Sequence, residues 1–377
     1  MENLSIAAIA SALILLSSMV SIELGISIAI IEIIAGVIAG NFLGLHTTPW
    51  IDFLAGFASI VLTFLAGTEV DPDLLREKWK ESLSIGGLSF LVPFVICLAF
   101  AYWVLKWSLP AAQIAGVALS TTSLAVVYAV LVETGLTETS TGKLIMASTF
   151  ITDLGTALAL SLLFIRPGWN LLLFIVVSVI IIIFIPKVSP WFFRRYGERV
   201  TEPEMKLIFA SLFVLMLIAE MGASHAVLPA FIFGLAMARF LSNHRNQLRR
   251  LRVVAFALLT PFFFLKSGMN VSLTAIVGNL GLLAIFLGLK LVAKLVGVYP
   301  LARKYIRKDA WYTTLLMSTG LTFGTIASLY GLNVGIIDKT QFSVLVATVI
   351  GTAVIPTFIA QRFLSPKINP KMEAENV

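Results

Sequence analysis

The chain has 377 residues, 59% hydrophobic and only 12% charged, where a soluble domain carries about 25% charged residues, so most of its surface faces lipid. One cysteine, Cys97, excludes a disulfide framework and a cysteine-rich metal site, and the histidines (His46, His225, His244) have no ligand spacing. The net charge of +7 reads as loops beside anionic lipid, not as nucleic-acid binding, and no soluble domain fits between the apolar runs.

A spanning helix needs about 20 apolar residues. Runs between charged or turn-rich breaks predict spans over 4–22, 25–45, 53–70, 83–106, 110–133, 141–165 and 169–187. Six more follow over 203–221, 223–241, 253–269, 276–299, 309–331 and 340–364. The apolar start carries no basic leader or small-residue cleavage site, so it is read as the first span. Thirteen spans put the termini on opposite sides. Lys106, Arg166 and Lys339 then fall on one side, and Lys266, Lys290 and Lys294 fall within spans. All the other basic residues gather on the opposite side, including Arg76, Arg194, Arg195, Arg245, Arg249, Arg303, Lys304, Lys367 and Lys371. The positive-inside rule therefore predicts a multi-pass cell-membrane protein with its N-terminus outside and its C-terminus cytoplasmic.

The two halves match at an offset of about 200 residues. Glu23-Leu24-Gly25-Ile26-Ser27-Ile28-Ala29 answers Glu220-Met221-Gly222-Ala223-Ser224-His225-Ala226, and Phe64-Leu65-Ala66-Gly67 answers Phe264-Leu265-Lys266-Ser267-Gly268. Ser120-Thr121-Thr122 answers Ser318-Thr319-Gly320, and Ala147-Ser148 with Thr152 answers Ala347-Thr348 with Thr352. One transmembrane unit is thus divided into a first repeat (1–165), a connecting helix and loop (166–202), a second repeat (203–366) and a cytoplasmic tail (367–377). Six spans and one connector make the second repeat inverted, the architecture of alternating-access transporters. The expected fold is an all-α membrane protein of thirteen helices.

Charge at mid-bilayer is costly and marks function by default. Asp153 is central in the sixth span and Lys290 in the eleventh. Lys294 and Lys266 are expected to snorkel, and Glu32, Glu69, Glu220 and His225 to be interfacial structural residues. Thr149 shares a helical face with Asp153, so hydroxyl and carboxylate can hold one cation, and Thr152 can cap or ligate. Ser120-Thr121-Thr122-Ser123 interrupts the fifth span, and the stretch from Ser318, Thr319 and Gly320 to Thr325 interrupts the twelfth. Interrupted helices at matching positions of two halves point to a midplane substrate site. No nucleophile triad, histidine cluster or phosphate loop points to an enzyme.

Several segments carry a resemblance. Glu32-Ile33-Ile34-Ala35-Gly36, Leu62-Thr63-Phe64-Leu65-Ala66-Gly67, Ala230-Phe231-Ile232-Phe233-Gly234 and Pro261-Phe262-Phe263-Phe264-Leu265-Lys266-Ser267-Gly268 resemble monovalent cation:proton antiporters of the Kef and NapA branch. The resemblance spans essentially the whole chain. It implies crossed broken helices in a core domain, an elevator-like movement of that core, and a homodimer formed through a separate domain. It places the family's essential carboxylate on Asp153 and its basic residue of span eleven on Lys290. It also implies a monovalent cation and protons as the transported partners, with Na+ the favoured ion at Asp153 and no resident cofactor; hydroxyl and carbonyl ligands by themselves accept sodium, lithium or potassium. Candidate ligands are Thr149, Thr121 and Thr122, with Thr152 beside the carboxylate. Electrogenic members have two adjacent Asp where this chain has Thr152-Asp153, which favours one proton per cation. Rival readings are a Kef-type potassium antiporter, which lacks support because the nucleotide-binding domain of many such proteins is missing, an anion symporter of the bile-acid-transporter type, and a channel.

Overall fold

The computed structural model describes residues 2–24, 27–69, 78–137, 139–164, 169–197, 199–221 and 226–364. The tail 367–377, His225, Arg76, Arg166, Lys367, Lys371 and residues 25–26 and 222–225 of the repeat match lie outside the described residues. The described chain is helical and without strands. Its helices are α1 (Glu2–Leu24), α2 (Ile28–Phe42), α3 (Pro49–Thr68), α4 (Trp79–Ala99), α5 (Leu109–Ser120) and α6 (Leu124–Glu133). Then come α7 (Ser140–Leu163), α8 (Trp169–Tyr196), α9 (Pro203–Met221), α10 (Val227–Asn243), α11 (Arg245–Val254) and α12 (Thr260–Met269). The last are α13 (Leu273–Gly278), α14 (Leu280–Tyr305), α15 (Ala310–Met317), α16 (Thr322–Asn333) and α17 (Lys339–Phe363).

A helix lies on each expected segment. Length and apolarity alone single out 9 membrane-crossing stretches among the described residues, with α2, α5 and α10 as shorter apolar helices. Two boundaries depart furthest from expectation. α8 runs past 187 to Tyr196 through Pro186 and Pro190, and a π-helical turn (Ala255–Leu259) joins α11 to α12, so that helical chain begins at Arg245. In both cases the helix continues beyond the apolar stretch, because backbone hydrogen bonding does not end where the hydropathy does.

Two compact units divide the chain, one of Met1–Pro72 with Ala157–Gly278 and the other of Asp73–Thr156 with Asn279–Val377, so each draws on both sequence halves. In the first unit α3 packs on α10, α2 on α12, and α9 on α8. Without a hydrophobic drive between helices in lipid, close backbone approach supplies much of the attraction. Glycine permits it here: a Cβ on Gly268 would be 2.8 Å from the Gly36 Cα, and one on Gly234 would be 3.1 Å from the Gly67 Cα. The repeat relates Gly36 to Gly234 and Gly67 to Gly268, so the two crossings are copies of one another. Several motif residues that carried the resemblance are thus the contact points of this unit.

The same unit corrects two expectations about charge, those for Lys266 and Glu32, and gives Glu69 a structural partner. Lys266 does not snorkel: it is nearly buried and pairs with the half-exposed Asp52 at 2.8 Å. Glu32 is buried in α2, not interfacial. Glu69, just past α3, pairs with Arg252 of α11 at 3.2 Å, and Arg250 pairs with Glu202 before α9. Glu220 is exposed, as an interfacial residue would be.

In the second unit α4 packs on α14 and α5, α5 on α16, and α17 on α14, α15 and α16. α17 starts from a capping box, in which the Asp338 carboxylate accepts the Gln341 amide at 2.8 Å while the Gln341 side chain accepts the Asp338 amide at 2.9 Å. A buried apolar cluster including Ile85, Val127, Leu131, Ile145, Val298, Leu316 and Met317 fastens these helices together. In lipid the close packing of these side chains against one another, not their withdrawal from water, supplies the attraction.

Candidate functional site

Both interrupted stretches are breaks in the second unit. α5 stops at Ser120 and Thr121 is extended (φ −64°, ψ 153°) before α6; α15 stops at Met317 and Leu321 (φ −142°, ψ −73°) precedes α16. Half-helix ends inside a membrane need partners for their freed backbone groups. Local hydroxyls satisfy some of them. Ser120 Oγ donates to the Val117 carbonyl (2.9 Å), Thr121 Oγ1 to Ala118 (3.1 Å), Ser318 Oγ to Thr314 (2.7 Å) and Thr319 Oγ1 to Leu316 (2.7 Å). The rest is reciprocal. Thr122 Oγ1 donates to the Met317 carbonyl at 2.8 Å, and Thr319 Oγ1 accepts the Ser123 amide at 3.4 Å. The two repeat-related breaks therefore meet and cap each other. Gly320 makes room for this: a Cβ there would run into Lys290 Nζ and lie 2.7 Å from Thr121 Oγ1.

α7 brings the carboxylate. Asp153 is 2% exposed and is the only buried carboxylate among the described residues of this unit. Thr152 Oγ1 shares its proton between the Ser148 carbonyl (3.1 Å) and the Gly86 carbonyl of α4 (3.2 Å), which fastens this face of α7 to α4. Thr149 Oγ1 donates to the Ile145 carbonyl at 2.9 Å, with the Met317 thioether at 3.4 Å. Both hydroxyl protons are thus directed to the protein, which leaves oxygen lone pairs as acceptors.

α14 brings two fully buried lysines one turn apart. Lys294 donates to Ser89 Oγ of α4 at 2.8 Å and to Thr122 Oγ1 at 3.0 Å, and it interacts electrostatically with Asp153. Lys290 donates to Thr352 Oγ1 of α17 at 3.0 Å. Sequence reasoning selected Lys290 and expected Lys294 to snorkel; the structure buries Lys294 and sets it against the first break. Its face of α14 packs on α4, so no lipid-facing route is open to its ammonium. Ser89, which accepts from Lys294, was missed altogether. A serine one turn from other small residues in an apolar run gives only a weak signal. Thr122, selected as an ion ligand, has its acceptor side taken by the Lys294 ammonium in this state.

The site offers one carboxylate, several hydroxyls and the carbonyls of two half-helix ends. Among the described residues no group of three or more His, Cys, Asp or Glu could hold a metal ion. Hard oxygen donors with a single charge suit a small monovalent cation better than a tightly held divalent one.

The chain and its fold have counterparts among known proteins. The probable Na(+)/H(+) antiporter 3 of Methanocaldococcus jannaschii is 28% identical over 356 residues, covering 90% of both chains. The Na(+)/H(+) antiporter NhaS4 of Synechocystis is 26% identical, covering 86% of this chain and 88% of its own. The solved structure of the sodium proton antiporter MjNhaP1 from Methanocaldococcus jannaschii at pH 8 has the same fold, with a TM-score of 0.66 at 14% identity over 96% of this chain and 98% of that one. Residues 9–365 match the family described as "Sodium/hydrogen exchanger, transmembrane", and the chain belongs to that family of multi-pass membrane antiporters.

Proposed function

We propose that the protein exchanges one sodium ion for one proton by alternating access, with Asp153 as the group at which the two compete. The observation that carries this reading is the burial of Asp153: it is the one buried carboxylate among the described residues of its unit, and it interacts with Lys294, which donates to Thr122 where the two broken helices meet. A carboxylate in that position takes either a proton or a partly dehydrated cation. Each removes its negative charge and lowers the cost of moving it through a low-dielectric region. The empty, ionised form is held by Lys294. Separating a buried charge from its partner costs about 3–5 kcal/mol, which pins the empty carrier and couples the two fluxes.

Thr149, beside Asp153, supplies a hydroxyl oxygen to the cation, and Thr121 and Thr122 do so from the first break once Lys294 withdraws. Lys290 adds positive charge one turn away and steadies the second break through Thr352 and Gly320. No resident cofactor takes part. The distribution of Lys and Arg supports an outside N-terminus and a cytoplasmic C-terminus in the cell membrane. A homodimer formed through a separate domain, as the sequence resemblance implies, completes the reading.

The experiment is sodium-driven proton flux in proteoliposomes. Asp153→Asn abolishes it, and retained exchange by that variant would refute the assignment. A potassium–valinomycin potential leaves the wild-type rate unchanged if exchange is one for one, and accelerates it if more protons than sodium ions move.

A further inference from the structure

On the first unit, the end of α8 and the start of α11 are brought together by rings. Phe193 of α8 stacks edge-on to Phe240 of α10 (4.9 Å) and to His244 (5.8 Å), the residue that leads into α11. His244 also lies 4.2 Å from the Phe240 ring, and its Nδ1 is 2.8 Å from the Phe240 carbonyl. The residue after each partner is an exposed arginine: Arg194 after Phe193 and Arg245 after His244. Arg249, one turn along α11, is exposed as well.

The arginines of this region divide into two sets. Arg250 and Arg252 are held by Glu202 and Glu69. Arg194, Arg239, Arg245 and Arg249 have no carboxylate partner among the described residues, nor does Arg195, which lies over the Tyr196 ring; Arg194, Arg245 and Arg249 are those on the end of α8 and on α11. The surroundings are those of a membrane boundary. Trp191 and Tyr196 are 53% and 39% exposed at the end of a long apolar helix, with Arg195 over the Tyr196 ring, and Val253 and Phe256 are exposed just beyond Arg249. Exposed aromatic rings mark the headgroup level, and apolar side chains beside free arginines suit a helix end lying at it.

We infer that Arg194, Arg245 and Arg249 form a docking site for the phosphate of an anionic lipid headgroup. Charge complementarity argues for this occupant: guanidinium groups match phosphate oxygens two at a time, and the acyl chains would run along the exposed apolar residues. A lipid held there spans α8 and α11 and stiffens the ring-stacked junction between them.

The test uses the full-length protein in nanodiscs of phosphatidylcholine with a minor share of phosphatidylglycerol, with retained lipid counted by native mass spectrometry. Wild type retains phosphatidylglycerol, and the triple Arg→Gln variant at 194, 245 and 249 retains about a hundredfold less. A control that neutralises Arg303, Lys304 and Lys308 removes as much charge from the other unit and leaves retention unchanged. Equal loss in that control reduces the effect to bulk surface charge and overturns the site, as does full retention by the triple variant. Displacement of the lipid by excess inorganic phosphate would also overturn the lipid assignment. A triple Arg→Lys variant, which keeps charge but loses paired hydrogen bonds, falls between wild type and the Gln variant, so a folding defect in the Gln variant does not decide the outcome.

Discussion

Lys294 and Thr122 are 3.0 Å apart, ammonium to hydroxyl, and the Thr122 proton goes on to the Met317 carbonyl at the end of α15. A buried positive charge is thereby set against the partly negative end of a half-helix, on the side of the site that also holds Asp153. The charge on α14, the break before α6 and the carboxylate on α7 form one connected arrangement, and disturbing any member should be felt by the others.

The coupling of Asp153 to Lys294 is measurable as a double-mutant cycle. Lys294→Met removes a buried positive charge that interacts with the carboxylate and should lower stability by about 3 kcal/mol in thermal unfolding of the purified protein. Adding Asp153→Asn should recover part of that loss, with a coupling energy of about 1–3 kcal/mol. Strictly additive losses would show that the two groups do not interact.

Competition at one carboxylate fixes the sign of the pH dependence. As pH falls through the titration of Asp153, protons displace sodium, so the sodium concentration for half-maximal exchange should rise by about tenfold per pH unit. At higher pH it should level off. Half-saturation constants from flux assays over a pH series read this directly, and a pH-independent constant would contradict a shared site.

Gly320 allows Lys290 and Thr121 to approach the second break. Gly320→Ala puts a methyl against Lys290 Nζ and 2.7 Å from Thr121 Oγ1, a strain of about 1–3 kcal/mol with reduced exchange. Shortening the lysine as well, in a Gly320→Ala and Lys290→Ala double variant, should restore part of the stability. Thermal melting of the single and double variants checks it; a double variant no more stable than Gly320→Ala would place the strain elsewhere.

Two glycines should respond oppositely to the same change. Gly268→Ala drives a Cβ into the α2 backbone beside Gly36 and should destabilise the protein by several kcal/mol. Gly288, inside α14 with open space around it, should tolerate Ala and gain about 0.5–1 kcal/mol from helix propensity. Melting temperatures of the two variants in one detergent give the comparison.

Much of this was legible in the sequence, because hydropathy, helix interruption and the cost of a mid-bilayer charge are properties of a stretch of chain. These placed the apolar segments, marked residues 120–123 and 318–325 as interruptions, the second of which is helical again from Thr322, and brought out Asp153 as the candidate carboxylate. The glycines of the repeated motifs were visible as well, though not as crossing points. The partner of each charge was not legible. Lys290 and Lys294 sit one turn apart in similar apolar surroundings, and only the packing of α4 on α14 decides that Lys294 meets Ser89 and Thr122 while Lys290 meets Thr352. Likewise Lys266 snorkels in a one-dimensional reading, yet packing buries it beside Asp52. A lone helix presents every face to lipid equally, so the direction of a side chain and the group that compensates its charge are set only when a second helix covers that face.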